Sequence, residues 1–247
     1  MPRERSEFAD QVIIGSDIRV RLYSAAEVPA LEPNACSDAL RDIVQWCENF
    51  LARPSNLLGR TGNVCPFVPE AMTRGTLKFA CIQDSGRGRE VPRKVEKIIA
   101  RLRDRFLAEE EAQGKINIFN SWVMIFLNIA EEEYADAIDT PQKRLKPSFV
   151  NQGLMLGEFY STCLSPGIRN SSFRPLRSPL PLLAIRHMVE SDIDFLSPSC
   201  DPVPVQIESL RAYLQFLGSS LSLGSRQKAR EALRVLEAEA AHLGLNG

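Results

Sequence analysis

The chain is predicted to be an α+β protein, with a mixed central sheet of three to five strands covered by helices and a C-terminal helical hairpin. Three observations carry this. Ile116–Asn128 and Leu180–Val189 hold large apolar groups on both alternating sides, as strands of a sheet covered on two faces do. Stretches between them carry apolar stripes at helical spacing. The last forty-odd residues hold two such stripes joined by a Gly/Ser turn. No repeat and no linker interrupts the 247 residues, so 1–247 reads as one domain. Within it, 1–35 is poorly defined and 203–243 is the hairpin packed on the body.

Taken in order, Ile18–Leu22 alternates as a short strand. Ser37 is a good N-cap for a helix reaching Leu51, whose stripe is Leu40, Ile43, Val44, Cys47 and Leu51; Trp46 lies off it. Thr76–Cys81 alternates as a half-buried strand. Pro92 opens a helix to about Leu107, with Val95, Ile98, Ile99, Leu102 and Phe106 inward and a basic outer face. The acidic run Glu131–Glu133 begins another helix, complementing its dipole. Lys146–Tyr160 reads as starting helical and carries Gly153 and Gly157. Asp192–Leu196 opens a short helix after Ser191. The hairpin uses Ile207, Leu210, Leu214 and Leu217, then Ala229, Leu233, Leu236 and Ala240 after a cap near Ser225, and stops at Gly244.

Composition removes several functions. The 30 basic and 31 acidic residues leave no polyelectrolyte character for nucleic acid or membrane. No apolar run approaches a membrane span and no signal-peptide core follows Met1, which points to the cytoplasm. The six cysteines, Cys36, Cys47, Cys65, Cys81, Cys163 and Cys200, form no CxxC pair and read as free, mostly structural thiols. His187 and His242 are the only histidines, which rules out a three-His zinc site. Motifs of the GxSxG, Walker A and GxGxxG kinds are absent.

The most chemically suggestive stretch is Leu58–Pro69, LGRTGNVCPFVP. Gly59 and Gly62 suit a turn, and Pro66 suits the first position of a helix running to about Arg74. That places Cys65 at or beside a helix N-cap, where the dipole favours a thiolate, with Arg60 and Arg74 adding to the field. His187 sits late in the Leu180–Val189 strand, on the face of Leu183, Ile185 and Val189. Arg186 points the other way, and Arg174 and Arg177 come from the preceding loop. Each arginine could clamp a carboxylate or form an ordinary ion pair. A Cys65 nucleophile with His187 as base is a further arrangement, without a recognisable orienting group.

LGRTGNVCPFVP, GLMLGEFY and FRPLRSPLPLLAIRHMVESDIDFL together resemble an actinobacterial family of unknown function over most of the chain. The Cys-Pro-Phe turn, short helix and RGTLKFAC strand are also similar to YqcI/YcgG-like proteins, through Cys65, Phe67, Arg74, Gly75, Leu77 and Phe79. Some of those are haem-dependent N-oxygenases of amino acids in specialised metabolism. This second resemblance implies haem ligated by Cys65 or His187. It also implies Arg60, Phe67, Arg74, Arg174, Arg177 and Arg186 around cofactor and substrate, a small amine or amino-acid substrate and an electron donor. A homodimer is compatible with it. The non-enzymatic alternative, a small-molecule-binding or scaffold protein of a biosynthetic cluster, stands beside it.

Overall fold

The computed structural model describes residues 11–14, 18–86, 88–198 and 201–244. A two-stranded antiparallel ribbon comes first, β1 (Gln11–Ile14) and β2 (Ile18–Arg21), with Val12 opposite Val20. The five-stranded sheet has the order β3-β4-β5-β7-β6, formed by Tyr23–Ser24, Leu77–Ile82, Ser121–Phe126, Leu182–His187 and Leu154–Phe159 respectively. It is mixed: β4 runs parallel to β5, while β3 on β4 and β7 on β5 are antiparallel. A parallel pair needs a long crossover. Here that is α3 (Val91–Gln113), ended by Gly114 in the left-handed region at φ 68°.

By its contacts the chain falls into two compact units, Met1–Arg144 with Leu156–Arg186, and Leu145–Met155 with His187–Gly247. In the first, α1 (Ala35–Trp46) lays Ala39, Leu40, Ile43 and Val44 against Leu77 and Phe79 of β4 and Val123 and Ile125 of β5. The short α2 (Val68–Thr73) adds Val68 and Ala71. On α3, Val95, Ile98, Ile99, Leu102 and Phe106 are all buried, and the Phe106 ring meets Trp122 of β5 edge-on at 5.2 Å. With α1 and α3 both covering it, β5 is buried at five of six positions, as its continuous apolar run demands.

In the second unit, α6 (Val203–Leu217) and α7 (Leu223–His242) form the expected hairpin. Leu210, Tyr213, Leu221 and Ala229 share a core with Val150, Met155, Met188, Ile193 and Leu196. Tyr213 donates to the Glu190 carbonyl at 2.7 Å. The Glu190 carboxylate accepts from Ser222 and Ser225 at the start of α7.

Several boundaries differ from the expectation, each for a local reason. The strand expected from Ile116 starts at Ser121, because Glu110 on α3 takes the Asn117 N–H at 3.2 Å and the Asn120 side-chain amide at 2.6 Å. Those bonds hold Asn117–Asn120 as a turn and leave Ile116 66% exposed. Helix α1 is capped by Asn34 rather than Ser37; Ser37 sits three residues in and closes the capping box, its Oγ accepting the Asn34 N–H at 2.8 Å. Its last turn widens into a π-helix over Cys47–Leu51. The Lys146–Tyr160 stretch divides: α4 (Tyr134–Val150) stops, Gly153 turns at φ 73°, and β6 follows. A side chain at Gly153 would meet the Phe216 ring at 2.8 Å. The final helix starts from Ser222, not Ser225.

Candidate functional site

The Cys65 turn is the first region to place. Residues 53–65 double back, with Val64 N–H donating to Arg53 and Cys65 N–H to the Leu51 carbonyl, both at 2.8 Å. Gly59, at φ 67°, lies against Arg169; a Cβ there would stand 3.0 Å from the Arg169 Cβ, so glycine is required on two counts. Asn170 donates to the Leu57 carbonyl and ties the two loops together. Helix α2 begins at Val68 with Phe67 as its N-cap, two residues later than Pro66 suggested. Cys65 therefore lies two residues before the cap and outside the helix. The proline that fills the first turn is Pro69.

Four of the other candidates brace the chain locally. Arg60 donates to the carbonyls of Thr61 and Val64. Arg74 pairs with Glu70 at 2.6 Å and stands 4.6 Å from the centre of the Phe119 ring, which also contacts Phe67. Arg174 donates to the carbonyls of Ser171 and Phe173, and Arg177 to that of Cys163. In β7, Arg186 is half-buried opposite Ser121 of β5. His187, 5% exposed, belongs to the second unit and Cys65 to the first.

Among the described cysteines, Cys47 and Cys163 are buried thiols and Cys65 is a half-buried one. Burial drives the Cys47 thiol far above its ordinary value, with the nearby Cys65 and Glu48 adding to the effect. The reading of all six as free thiols is corrected at two of them. Cys36 and Cys81 form a disulfide with their Cα atoms 5.6 Å apart. Cys36 lies in the first turn of α1, and Cys81 is on the side of β4 that Leu77 and Phe79 turn toward α1. Cys200 lies outside the described residues.

That disulfide lines a cavity of about 540 Å³. Arg19 and Arg21 come from one side of β2, Tyr23 from β3, Asn34 and Ser37 from the start of α1, and Gln83 and Asp84 from just past the end of β4. Val20 and Leu40, both 1% exposed, give it an apolar floor. Its acidic members are Glu32 and Asp84. Asp84 is answered by Lys94 at 2.5 Å, and this ion pair holds its carboxyl below the ordinary carboxylate value. Arg21 stands 5.1 Å from the centre of the Tyr23 ring, and its charge, with that of Lys78, helps hold the Glu27 carboxyl below the ordinary carboxylate value, behind the hydrogen bonds Glu27 takes from Ser24. Sequence reasoning missed this wall. The signals available were the Arg-x-Arg alternation on a short strand, which puts both guanidiniums on one face, and the Asn34-x-x-Ser37 capping box.

Haem fits poorly in this cavity. Its lining includes no histidine, its two cysteine sulfurs are bonded to each other, and neither Cys65 nor His187, the ligands the resemblance implies, belongs to it. No group of three or more His, Cys, Asp or Glu side chains that could hold a metal ion occurs among the described residues. No helix among them is long and apolar enough to cross a membrane.

The chain belongs to a family described as a domain of unknown function, DUF6875, whose model matches residues 40–228. No curated protein and no solved structure matches it. The cavity straddles the start of the matched region. Cys81 and Gln83–Asp84 lie inside it, and Arg19 to Ser37 precede it.

Proposed function

We propose that this protein binds a small anionic molecule in the cavity between β2, β4 and the start of α1. The observation that carries the reading is that two arginines of one short strand, Arg19 and Arg21, both line a metabolite-sized, partly apolar cavity. Guanidinium groups match carboxylate and phosphate geometry bidentately, and the half-buried Tyr23 and Leu31 offer apolar surface to the rest of the ligand.

Thermal unfolding with inorganic phosphate, succinate and citrate, at constant ionic strength, tests this. A ligand at ten times its Kd stabilises by about 1.4 kcal/mol, or roughly 3–6 °C for a chain of this size. The rise should be present in the wild type and lost in R19Q/R21Q. A wild type insensitive to all three, or a variant that responds equally, contradicts the reading.

The haem-dependent N-oxygenase implied by the Cys-Pro-Phe resemblance is the second reading. It is favoured by Cys65 being the free thiol that is not fully buried among the described cysteines. When bound, haem would supply oxygen activation; Cys65 would hold it from the first unit, or His187 from the second. Hemin titration of the wild type, C65A and H187A decides it. A Soret band that shifts or disappears in one variant supports the reading, and no band in the wild type removes it.

A further inference from the structure

We infer that the Cys36–Cys81 disulfide is a thiol–disulfide exchange site, opened and re-formed through the cavity by a low-molecular-weight thiol. Three observations converge on it. Both half-cystines are half-buried rather than sealed in the core, unlike Cys47 and Cys163, and both line the cavity. A disulfide that solvent thiols can reach is the labile kind, whereas structural bridges are sheltered. The two sulfurs are also electrostatically unequal. Cys36 occupies the first turn of the twelve-residue α1, where the helix dipole stabilises a departing thiolate; Cys81 sits in a strand, which has little net dipole. The third observation is the pair Arg19 and Arg21 on the same wall, placed to draw in a thiol that carries carboxylates.

The chemistry balances without a further reagent. An incoming thiolate attacks the Cys81 Sγ, the S–S bond breaks, and its electron pair leaves on Cys36 as a thiolate. The product is a mixed disulfide on Cys81. A second thiol attacks the incoming molecule's sulfur in that mixed disulfide, releases the oxidised small disulfide and leaves Cys36 and Cys81 reduced. The protein gains two electrons and two small thiols lose them. Reversal by a small disulfide restores the bridge. Opening removes the covalent tie between α1 and β4 across 45 residues, at the wall of the cavity itself. Exchange does not depend on the anion-binding reading; the preference for an acidic thiol rests on it.

The full chain, oxidised and folded, is incubated with reduced glutathione or with neutral 2-mercaptoethanol at equal thiolate concentration and ionic strength. The reaction is then acid-quenched, alkylated and mapped by mass spectrometry. Cys36 and Cys81 should become alkylated together within the folded protein while Cys163 stays protected. The C36S variant should trap oxidised glutathione as a mixed disulfide on Cys81. Relative to an unstructured peptide disulfide, opening should be several-fold faster with glutathione than with 2-mercaptoethanol, and R19Q/R21Q should lose that preference. Opening by both thiols with no preference keeps the exchange site and counts against the anion reading. A bridge that opens only in denaturant overturns the inference, as does a C36S variant that is folded by circular dichroism but forms no adduct.

Discussion

The Cys65 turn and the Cys36–Cys81 wall lie in the same unit, yet one consumes its chemistry internally and the other presents it to a cavity. At the turn, the arginines and the tight glycine have structural partners: Arg60 holds the carbonyls of Thr61 and Val64, Arg74 holds Glu70 and the Phe119 ring, and Gly59 admits Arg169. At the wall, two arginines and a half-buried disulfide line the same cavity. A conspicuous motif can thus mark a difficult turn, while ordinary-looking residues from separate elements assemble a cavity wall. Gly and Pro crowd the first region because reversing the chain in a tight space needs them, and Arg60 ties off the carbonyls the reversal exposes.

The largest test of this contrast is stability. Removing the bridge in C36S/C81S frees a loop of 45 residues in the unfolded chain and should cost about 3–4 kcal/mol by loop entropy. C65S should cost about 1 kcal/mol or less. Urea unfolding that ranks the two the other way breaks the comparison. Next comes Gly59→Ala, which must take a left-handed φ and press on Arg169; about 2–3 kcal/mol is expected. Gly75→Ala, at φ 65° with open space around it, should lose only about 1 kcal/mol. Equal losses would remove the packed-loop explanation. Phe119→Leu, which deletes the face beneath Arg74, should lower stability by about 1 kcal/mol and leave ligand response at the wall unchanged.

The second unit supplies a pH control independent of either region. Burial raises the Tyr213 hydroxyl from its ordinary 10.0 to about 12, with the acids Glu190 and Asp192 contributing. A raised folded value means its stabilisation is complete below pH 10 and is lost as pH rises from about 10 to about 12. Ser222 and Ser225 hold Glu190 below its ordinary 4.5, so its contribution is present above that value and is lost as pH falls through the folded one. Tyr213→Phe should flatten the alkaline limb of a stability–pH curve and leave the acid limb intact. An unchanged alkaline limb contradicts the assignment to Tyr213.

Much of the architecture was legible because local chemistry dictated it. The apolar runs in β5 and β7 demanded burial on two faces, and the stripes of α3, α6 and α7 demanded a covered side. What escaped was non-local. The start of β5 depends on Glu110, seven residues before Asn117, and the strand β6 depends on Gly153 ending α4. No spacing rule joins Cys36 to Cys81; only packing α1 on β4 brings their Cα atoms within bridging distance. The cavity was hidden for the same reason, since its residues come from three separate stretches of the chain. The turn at Cys65 was located correctly, but its helix was placed two residues early because Pro66 and Pro69 both suit a first turn.

The central claim is that the wall of Arg19, Arg21 and the disulfide, and not the Cys65 turn, receives the small molecule. Calorimetric titration measures it directly, using whichever of phosphate, succinate or citrate gives the largest thermal shift, against wild type, C65A and R19Q/R21Q. Wild type and C65A should bind with the same Kd, and R19Q/R21Q should bind at least about tenfold more weakly, the loss of 1.4 kcal/mol that two charge-assisted contacts readily supply. Unimpaired binding by R19Q/R21Q, together with its loss in C65A, would contradict the account and move the site to the turn.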